Sequence, residues 1–499
     1  MASLIETPLQ EQPQPSAEML ERIGTAPLAA AGTASWARSS SKTRFDLLGI
    51  PVLGAALRNR AFQFSLVLVN LFFFTIIILS GLFGTPVGNR NFSIIFVWIV
   101  WWALLIMALV PFGARAWCTM CPIPAVGEWV QRGAVIRRRM GRPFSLNLNW
   151  PRPLRNIWLQ NFSFVGVAMF SAVILTRPVV TAWLLLTFIL LALGASLLFQ
   201  RRVFCRYICP VGGFIGLYAM TAPTEVRVKD RDVCLKHCAA ECVRGSATSY
   251  GCPWLEYPGS LTRNAYCGMC TECIKACPVG NISLNVRPFG ADLLEPVRHL
   301  DEAYKGFIML AAALIYSTVM LGPWGQLKAW ANLGSGNLAQ FATYAAGLVL
   351  VMLVVMPGLF LAVSWLGRLF SGVSTASLRR LFVGFGYTTV PLGLMGWIAF
   401  SLSFVFINVS YALPVISDPF GWGWNLFGTA DYPWTPYVPI VLPYLQVPLL
   451  LGGLILSIRL GHRVAMEVLG DARQARQALL PVAALLTFIT GTFLWLYLA

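Results

Sequence analysis

The chain has 499 residues, of which 57% are hydrophobic, 13% aromatic and only 11% charged, with a mean hydropathy of +0.68. Soluble domains carry about 25% charged residues, so a soluble globular protein is excluded. This much apolar surface is what several bilayer-spanning helices of about 20 residues each require. The net charge of +17 does not call for nucleic acid, because Lys and Arg collect in the cytoplasmic loops of membrane proteins and meet anionic lipid there. Membrane lipid is the expected partner.

In chain order, residues 1–45 are rich in Ala, Ser, Pro and Gln and lack a long apolar run; they read as a disordered cytoplasmic tail. No short apolar core with a small-residue cleavage site is present, so the first membrane helix is expected to target the chain. Apolar runs of spanning length follow at about 62–84, 92–112, 156–176, 179–200, 306–322, 342–366, 381–407, 442–458 and 480–498, predicting nine spans. With the N-terminus cytoplasmic, the outer loops hold only Arg90, Arg177 and Lys328 of the 37 Lys and Arg. That asymmetry predicts a cytoplasmic N-terminus and a periplasmic C-terminus.

The first two helix pairs repeat one plan. Each leads into a cysteine pair followed by proline: Cys118-x2-Cys121-Pro122, then Cys205-x3-Cys209-Pro210. Segment 123–142 sets Trp129, Val130, Val135 and Ile136 against Arg132 and the Arg137–Arg139 run, as in a helix lying among lipid headgroups; a basic solvated linker is the plainer reading. The predicted organisation is therefore a tail at 1–45, a four-helix membrane domain at 46–222, a cytoplasmic domain at 223–300 and a five-helix membrane domain at 301–499.

All twelve cysteines lie between Cys118 and Cys277, against three histidines in the whole chain. Cys267-x2-Cys270-x2-Cys273-x3-Cys277-Pro278 has the spacing of the ferredoxin run that binds [4Fe–4S] clusters, in which the fourth cysteine crosses to a neighbouring cluster. Zinc ribbons instead favour two separated pairs. The crossing ligand demands a second set, supplied by Cys234-x3-Cys238-x3-Cys242 with Cys252-Pro253. The expected partition is Cys234, Cys238, Cys242 and Cys277 on one cluster, and Cys252, Cys267, Cys270 and Cys273 on the next. The remaining four, Cys118, Cys121, Cys205 and Cys209, suit a third [4Fe–4S] cluster; structural zinc, a redox-active thiol pair and free cysteines are the alternatives. Disulfides are disfavoured in a reducing cytoplasm.

These motifs resemble the membrane-bound polyferredoxins associated with periplasmic nitrate reductase, nitrous oxide reductase and cytochrome oxidase assembly. The resemblance covers roughly residues 60–300, with Cys205-x3-Cys209-Pro210 in the family's form and Cys118-x2-Cys121-Pro122 one residue shorter. It implies electron transfer between quinol or cytoplasmic donors and a periplasmic redox system, or support of metalloenzyme maturation. The partner would be a periplasmic reductase or a membrane complex in the bacterial inner membrane. No periplasmic flavin-binding domain precedes the first helix, and the five C-terminal spans are additional to the nitrate-reductase type.

No ionisable residue falls inside the nine runs so bounded, which argues against a pump or transporter. His237, His299 and His462 lie outside them, and no Cys-x-x-Cys-His occurs, so neither haem b nor haem c is expected. His237 reads as a surface or hydrogen-bonding group between presumed ligands. His299, with Glu295, Asp301 and Glu302, reads as a solvated linker before the fifth span, or as a quinone contact. The outer loop at 409–441 carries Phe420, Trp422, Trp424, Phe427, Tyr432, Trp434 and Tyr437 with Asp418 and Asp431; it reads as an interfacial aromatic belt or as a docking face. Arg206 is a candidate for tuning the nearby cluster.

The fold expected is thus an all-α polytopic membrane protein of about nine spans with an inserted ferredoxin-like double [4Fe–4S] domain. Its expected work is single-electron transfer, as an electron-transfer subunit or a component of a quinol-linked oxidoreductase.

Overall fold

A computed structural model describes residues 44–135, 144–171, 174, 176–237, 239–246, 248–321, 325–437 and 439–498. Cys238, most of the 1–45 tail and the Arg137–Arg142 basic run lie outside these residues, as does the side chain of His237.

The architecture is mostly helical. Helices α1 (Arg60–Phe83) and α2 (Phe92–Gly113) form the first hairpin. A short α3 (Ala125–Arg132) follows, then α4 (Trp158–Ser171), α5 (Pro178–Leu198) and α6 (Pro210–Tyr218). The C-terminal unit comprises α7 (Leu300–Leu321), α8 (Leu338–Phe370), α9 (Leu378–Ser417), α10 (Leu442–Leu469) and α11 (Ala472–Leu498). Among the described residues, eight helices are long and apolar enough to cross a membrane, as in a multi-pass membrane protein. The ninth expected run, 156–176, is represented by α4, whose described part has 14 residues.

Local chemistry sets the hairpin turns. Asn59 caps α1 by accepting from Ala61 N (2.9 Å). Asn91 caps α2 through Ser93 N (2.9 Å) while its amide donates to Ser80 O and Thr85 O. One side chain thus satisfies groups from both helix ends. Pro178 opens α5 at its first turn, where no amide hydrogen is needed.

Between the membrane units sits a lobe with a three-stranded antiparallel sheet, β1 (Phe45–Asp46), β2 (Thr224–Val228) and β3 (Ile282–Val286), in the order β1-β3-β2. Phe45 pairs with Val286, and Thr224 faces Val286 from the other side. The end of the expected tail therefore belongs to the lobe. Asp46 takes Lys229 (3.2 Å) and Arg44 pairs with buried Glu225 (2.8 Å). Val226, Val228, Tyr257, Ile274 and Ile282 pack with Cys234, Cys242 and Cys273 in the core of this lobe.

Helix α3 differs from the expected headgroup-layer helix in which face it buries. Glu128 and Gln131 point inward while Val130 is exposed, because Arg202 and the carbonyls of Ser196 and Phe199 wait there as partners.

Candidate iron–sulfur sites

The two Cys-Pro motifs sit at helix ends: Cys121 closes the short helix Ala116–Met120, and Cys209 opens α6. Cys209 is the N-cap of α6, with Pro210 at the first helical position, and its Sγ accepts from Gly212 N (3.3 Å). Just before it, Phe204–Ile208 is a π-helical turn closed by Cys209 N to Phe204 O (2.8 Å). Such widened turns recur at functional sites. Two more, Ile95–Trp101 and Leu105–Leu109, interrupt α2 on its way to Cys118.

These elements bring Cys118, Cys121, Cys205 and Cys209 to the wall of one apolar cavity of about 150 Å³. Trp101, Trp102 and Trp117 share that wall with Tyr316 and Trp397 of the C-terminal unit. Trp101 Nε1 is buried there without a hydrogen-bond partner, so a donor faces a space that no described acceptor fills.

Around the cage stands a ring of buried cations. Arg202 bonds Cys118 O (2.7 Å) and grips Glu128 with two nitrogens, one at 3.0 Å. Arg115 Nη2 donates to Gly212 O (2.8 Å), its other nitrogen reaches Ala265 O, and its guanidinium lies 4.2 Å above the Trp254 ring. Burial alone would raise the Glu128 carboxyl; Arg132 and Arg202 outweigh it and hold the group at about 2.

Lys305 in α7 is 0% exposed. Its Nζ donates to Gln160 O (3.1 Å) and lies 5.1 Å from the Phe164 ring centre, and it packs so closely on Gly213 that a Cβ there would sit 2.8 Å from Nζ. Gln160 in turn donates to Cys205 O and Arg206 O. The run expected at 306–322 thus begins earlier, at Leu300, and carries a buried cation that the narrower bounds leave out. Lys305 is missed by hydropathy because one charged residue at the edge of an apolar run reads as a boundary.

The lobe holds the second arrangement. Cys252, Cys267, Cys270 and Cys273 line one small pocket. Met269 and Thr271, within the run, and Leu255, after Cys252, have positive φ of 55°, 61° and 56°. Left-handed residues between right-handed ones aim successive amides into a concavity suited to an anion or an iron–sulfur group. Met269 N donates to Cys267 Sγ (3.4 Å). Gly268 admits this fold because a Cβ would run into the Trp254 indole, whose Nε1 is itself buried without a partner. Burial pushes the Cys252 and Cys267 thiols up to about 11 and Cys270 to about 12, with Cys252 adding to Cys270. Loading with metal must therefore expel protons.

Of the remaining set, Cys234 and Cys277 meet at Asn281, whose Nδ2 donates to Cys234 Sγ (3.2 Å) and whose N donates to Cys277 Sγ (3.3 Å). Cys242 O accepts from Cys252 N (2.7 Å), tying the two lobe sets together. Among the described residues, no three Cys, His, Asp or Glu side chains form a single-ion site.

After Glu295, Pro296, Val297 and His299 are exposed, as in a solvated linker, but Glu302 is buried. Glu302 pairs with Arg263 (2.7 Å) and accepts from Tyr266 and Tyr387, while His299 N donates to Tyr387 Oη (3.0 Å). Tyr266 precedes Cys267, so α7 and α9 grip the cysteine run directly. Arg206 is paired with Glu256 and bonds Trp254 O. In the 409–441 loop, Phe420 O accepts from Thr85 N (2.7 Å), docking it on the α1–α2 turn with Trp422, Phe427 and Trp434 exposed.

Two segments, residues 94–143 and 181–224, match the family model described as 4Fe-4S binding domain. Each contains most of the second helix of a hairpin and the Cys-Pro motif after it, so the match falls on Cys118, Cys121, Cys205 and Cys209. Among curated proteins, YccM of Escherichia coli (strain K12), provisionally named as an electron transport protein, is 25% identical over 191 residues, covering 34% of this chain and 50% of YccM. The chain thus spans about half the length of that relative. No solved structure matches.

Proposed function

We propose that this protein is a membrane-bound iron–sulfur electron-transfer protein, relaying single electrons between cytoplasmic donors or the quinone pool and a redox partner. The observation that carries the reading is that two separate cavities are each lined by four cysteines, one at the helix ends and one in the lobe. The family match on the first and the name of the partial relative support it.

Cys118, Cys121, Cys205 and Cys209 would hold one [4Fe–4S] cluster, Cys252, Cys267, Cys270 and Cys273 a second, and Cys234, Cys238, Cys242 and Cys277 a third. Such clusters, when bound, supply one-electron redox chemistry. The chain's own part is to exclude water with tryptophans, to aim amides at sulfur, and to offset negative charge with Lys305 and Arg115. The aromatic wall shared with Tyr316 and Trp397 gives the C-terminal helices a role in closing the helix-end cage, and offers a quinone an apolar approach. The lobe faces the cytoplasm of a bacterial inner membrane in this reading.

Iron and acid-labile sulfide in anaerobically purified protein, with EPR, test it. About twelve irons per chain are expected; about eight would remove the helix-end cage from the scheme, and colourless protein that binds zinc would end the redox reading. A second reading, an assembly factor that reduces a metal for insertion into a partner enzyme, shares every residue. It requires that deletion lower the partner's cofactor content, where a respiratory role requires loss of its turnover alone.

A further inference from the structure

At the seam between the membrane helices and the lobe lies a polar cavity of about 660 Å³. Three stretches wall it: the connector before α4 (147–155), the turn after α5 (200–207) and the lobe segment 243–255. Among the described residues, six arginines line it, Arg152, Arg155, Arg201, Arg202, Arg206 and Arg244, with three side-chain amides and no Asp or Glu.

Carboxylates outside the cavity neutralise two of the six, Arg202 by Glu128 and Arg206 by Glu256. Arg201 donates only to the carbonyls of Tyr250, Val243 and Arg244, and Arg155 to Trp150 O (3.2 Å). Neither these two nor Arg152 forms an ion pair among the described residues. Burial, and then the charge of Arg132, push the Arg201 guanidinium below its ordinary range, against the opposing pull of Glu128 and Glu272, so positive charge here is crowded.

The backbone is also held in place at a cost. Three of the seven described non-glycine residues with positive φ line this one cavity: Asn147 at 54°, Arg201 at 55° and Leu255 at 56°. Such residues concentrate at ligand clamps, where surrounding contacts over-determine them. Trp150 stacked on Tyr207 (5.4 Å, 5°) forms a rigid wall.

The geometry points to a binding site for a phosphate-bearing anion in this cavity, with Arg152, Arg155 and Arg201 as its contacts. Guanidinium forks match phosphate oxygens in pairs. The site begins two residues beyond the end of α5, a helix long and apolar enough to span, which puts it where a phospholipid headgroup would sit; a soluble polyphosphate offers the same chemistry. The inference stands apart from the cysteine cages and survives if they prove empty of iron.

The test uses the full-length holoprotein in detergent, titrated separately with cardiolipin and with inorganic pyrophosphate and read by native mass spectrometry. In an Arg152→Gln/Arg155→Gln variant, binding of at least one probe is expected to weaken about tenfold or more. An Arg379→Gln/Arg380→Gln control, removing two exposed arginines elsewhere, should bind as the parent does. A circular dichroism spectrum and thermal midpoint equal to the parent's show that the variant is folded, and Arg152→Gln alone, at an exposed position, serves if the double variant does not accumulate. Sensitivity to cardiolipin alone makes the ligand a lipid, and sensitivity to pyrophosphate alone makes it soluble; each supports the site. Absence of binding by both probes, or equal weakening in variant and control, overturns it.

Discussion

The two four-cysteine cavities are built by opposite means. The helix-end cage gathers Cys118 and Cys121 with Cys205 and Cys209, partners more than eighty positions apart, and its walls are packed helices with tryptophan between them. The lobe cage takes three of its four sulfurs from seven consecutive residues, 267–273, shaped by left-handed backbone at Met269 and Thr271. In the first, apolar packing exists whatever the cavity contains. In the second, polar contacts replace helix packing, Thr119 to Gly268 O and Glu272 to Ser249, Tyr250 and Arg60, and loops of this kind sit nearer the low-stability end of a structure. The difference predicts that a bound cluster would matter less to the fold of the helix-end cage than to that of the lobe cage.

Removing iron should expose this contrast most strongly. After anaerobic chelation, limited proteolysis is expected to cut within about 240–280 while the helix-end cage stays intact, because metal binding to a loop is folding energy for that loop. Mass spectrometry of the fragments reads the result. Equal resistance of both regions would show that the lobe closes on its own packing, and the comparison would fail.

A second test attacks the helix-end cage where its strength lies. Glu128→Gln leaves Arg202 buried without its counter-charge, at a cost of about 3–5 kcal/mol, and frees the nitrogen arrangement that holds Cys118 O. Thermal unfolding of the cluster-free protein, followed by circular dichroism, should show a lower midpoint for the variant. The sign with pH is fixed by the carboxyl: its folded value of about 2 lies below the ordinary 4.5. The stabilisation is therefore complete above 4.5 and is lost as pH falls toward about 2. The gap between parent and variant should close over that interval.

How much of this was legible in the sequence depended on range. The lobe cysteines announce themselves because three of them sit within one loop, and the structure places Cys252 beside Cys267, Cys270 and Cys273 around one pocket. The spans were legible from hydropathy, with their ends displaced by several residues. What hydropathy could not supply were the polar contacts made between distant elements. Glu302 looked like part of a charged linker, yet it is buried between Arg263, Tyr266 and Tyr387, partners 39, 36 and 85 positions away. Glu128 and Arg202 likewise lie 74 positions apart, and nothing local marks either as a buried pair.

The smallest effects separate two cations near the cysteines. Lys305 is buried with only a carbonyl and a ring for company and forms no ion pair among the described residues, so when protonated it acts on the helix-end cage undiminished by a counter-ion. Lys305→Met should lower the midpoint potential of that cluster and leave the lobe clusters unmoved in an EPR-monitored redox titration, because a nearby positive charge favours the more negative, reduced state. Arg206 sits closer along the chain, beside Cys205, but Glu256 pairs with it, and a paired charge presents only a dipole. Arg206→Gln is therefore expected to shift the potential less than Lys305→Met does. A larger shift from Arg206 would mean that proximity outweighs neutralisation, and the ring of compensating charge would have to be redrawn around that residue.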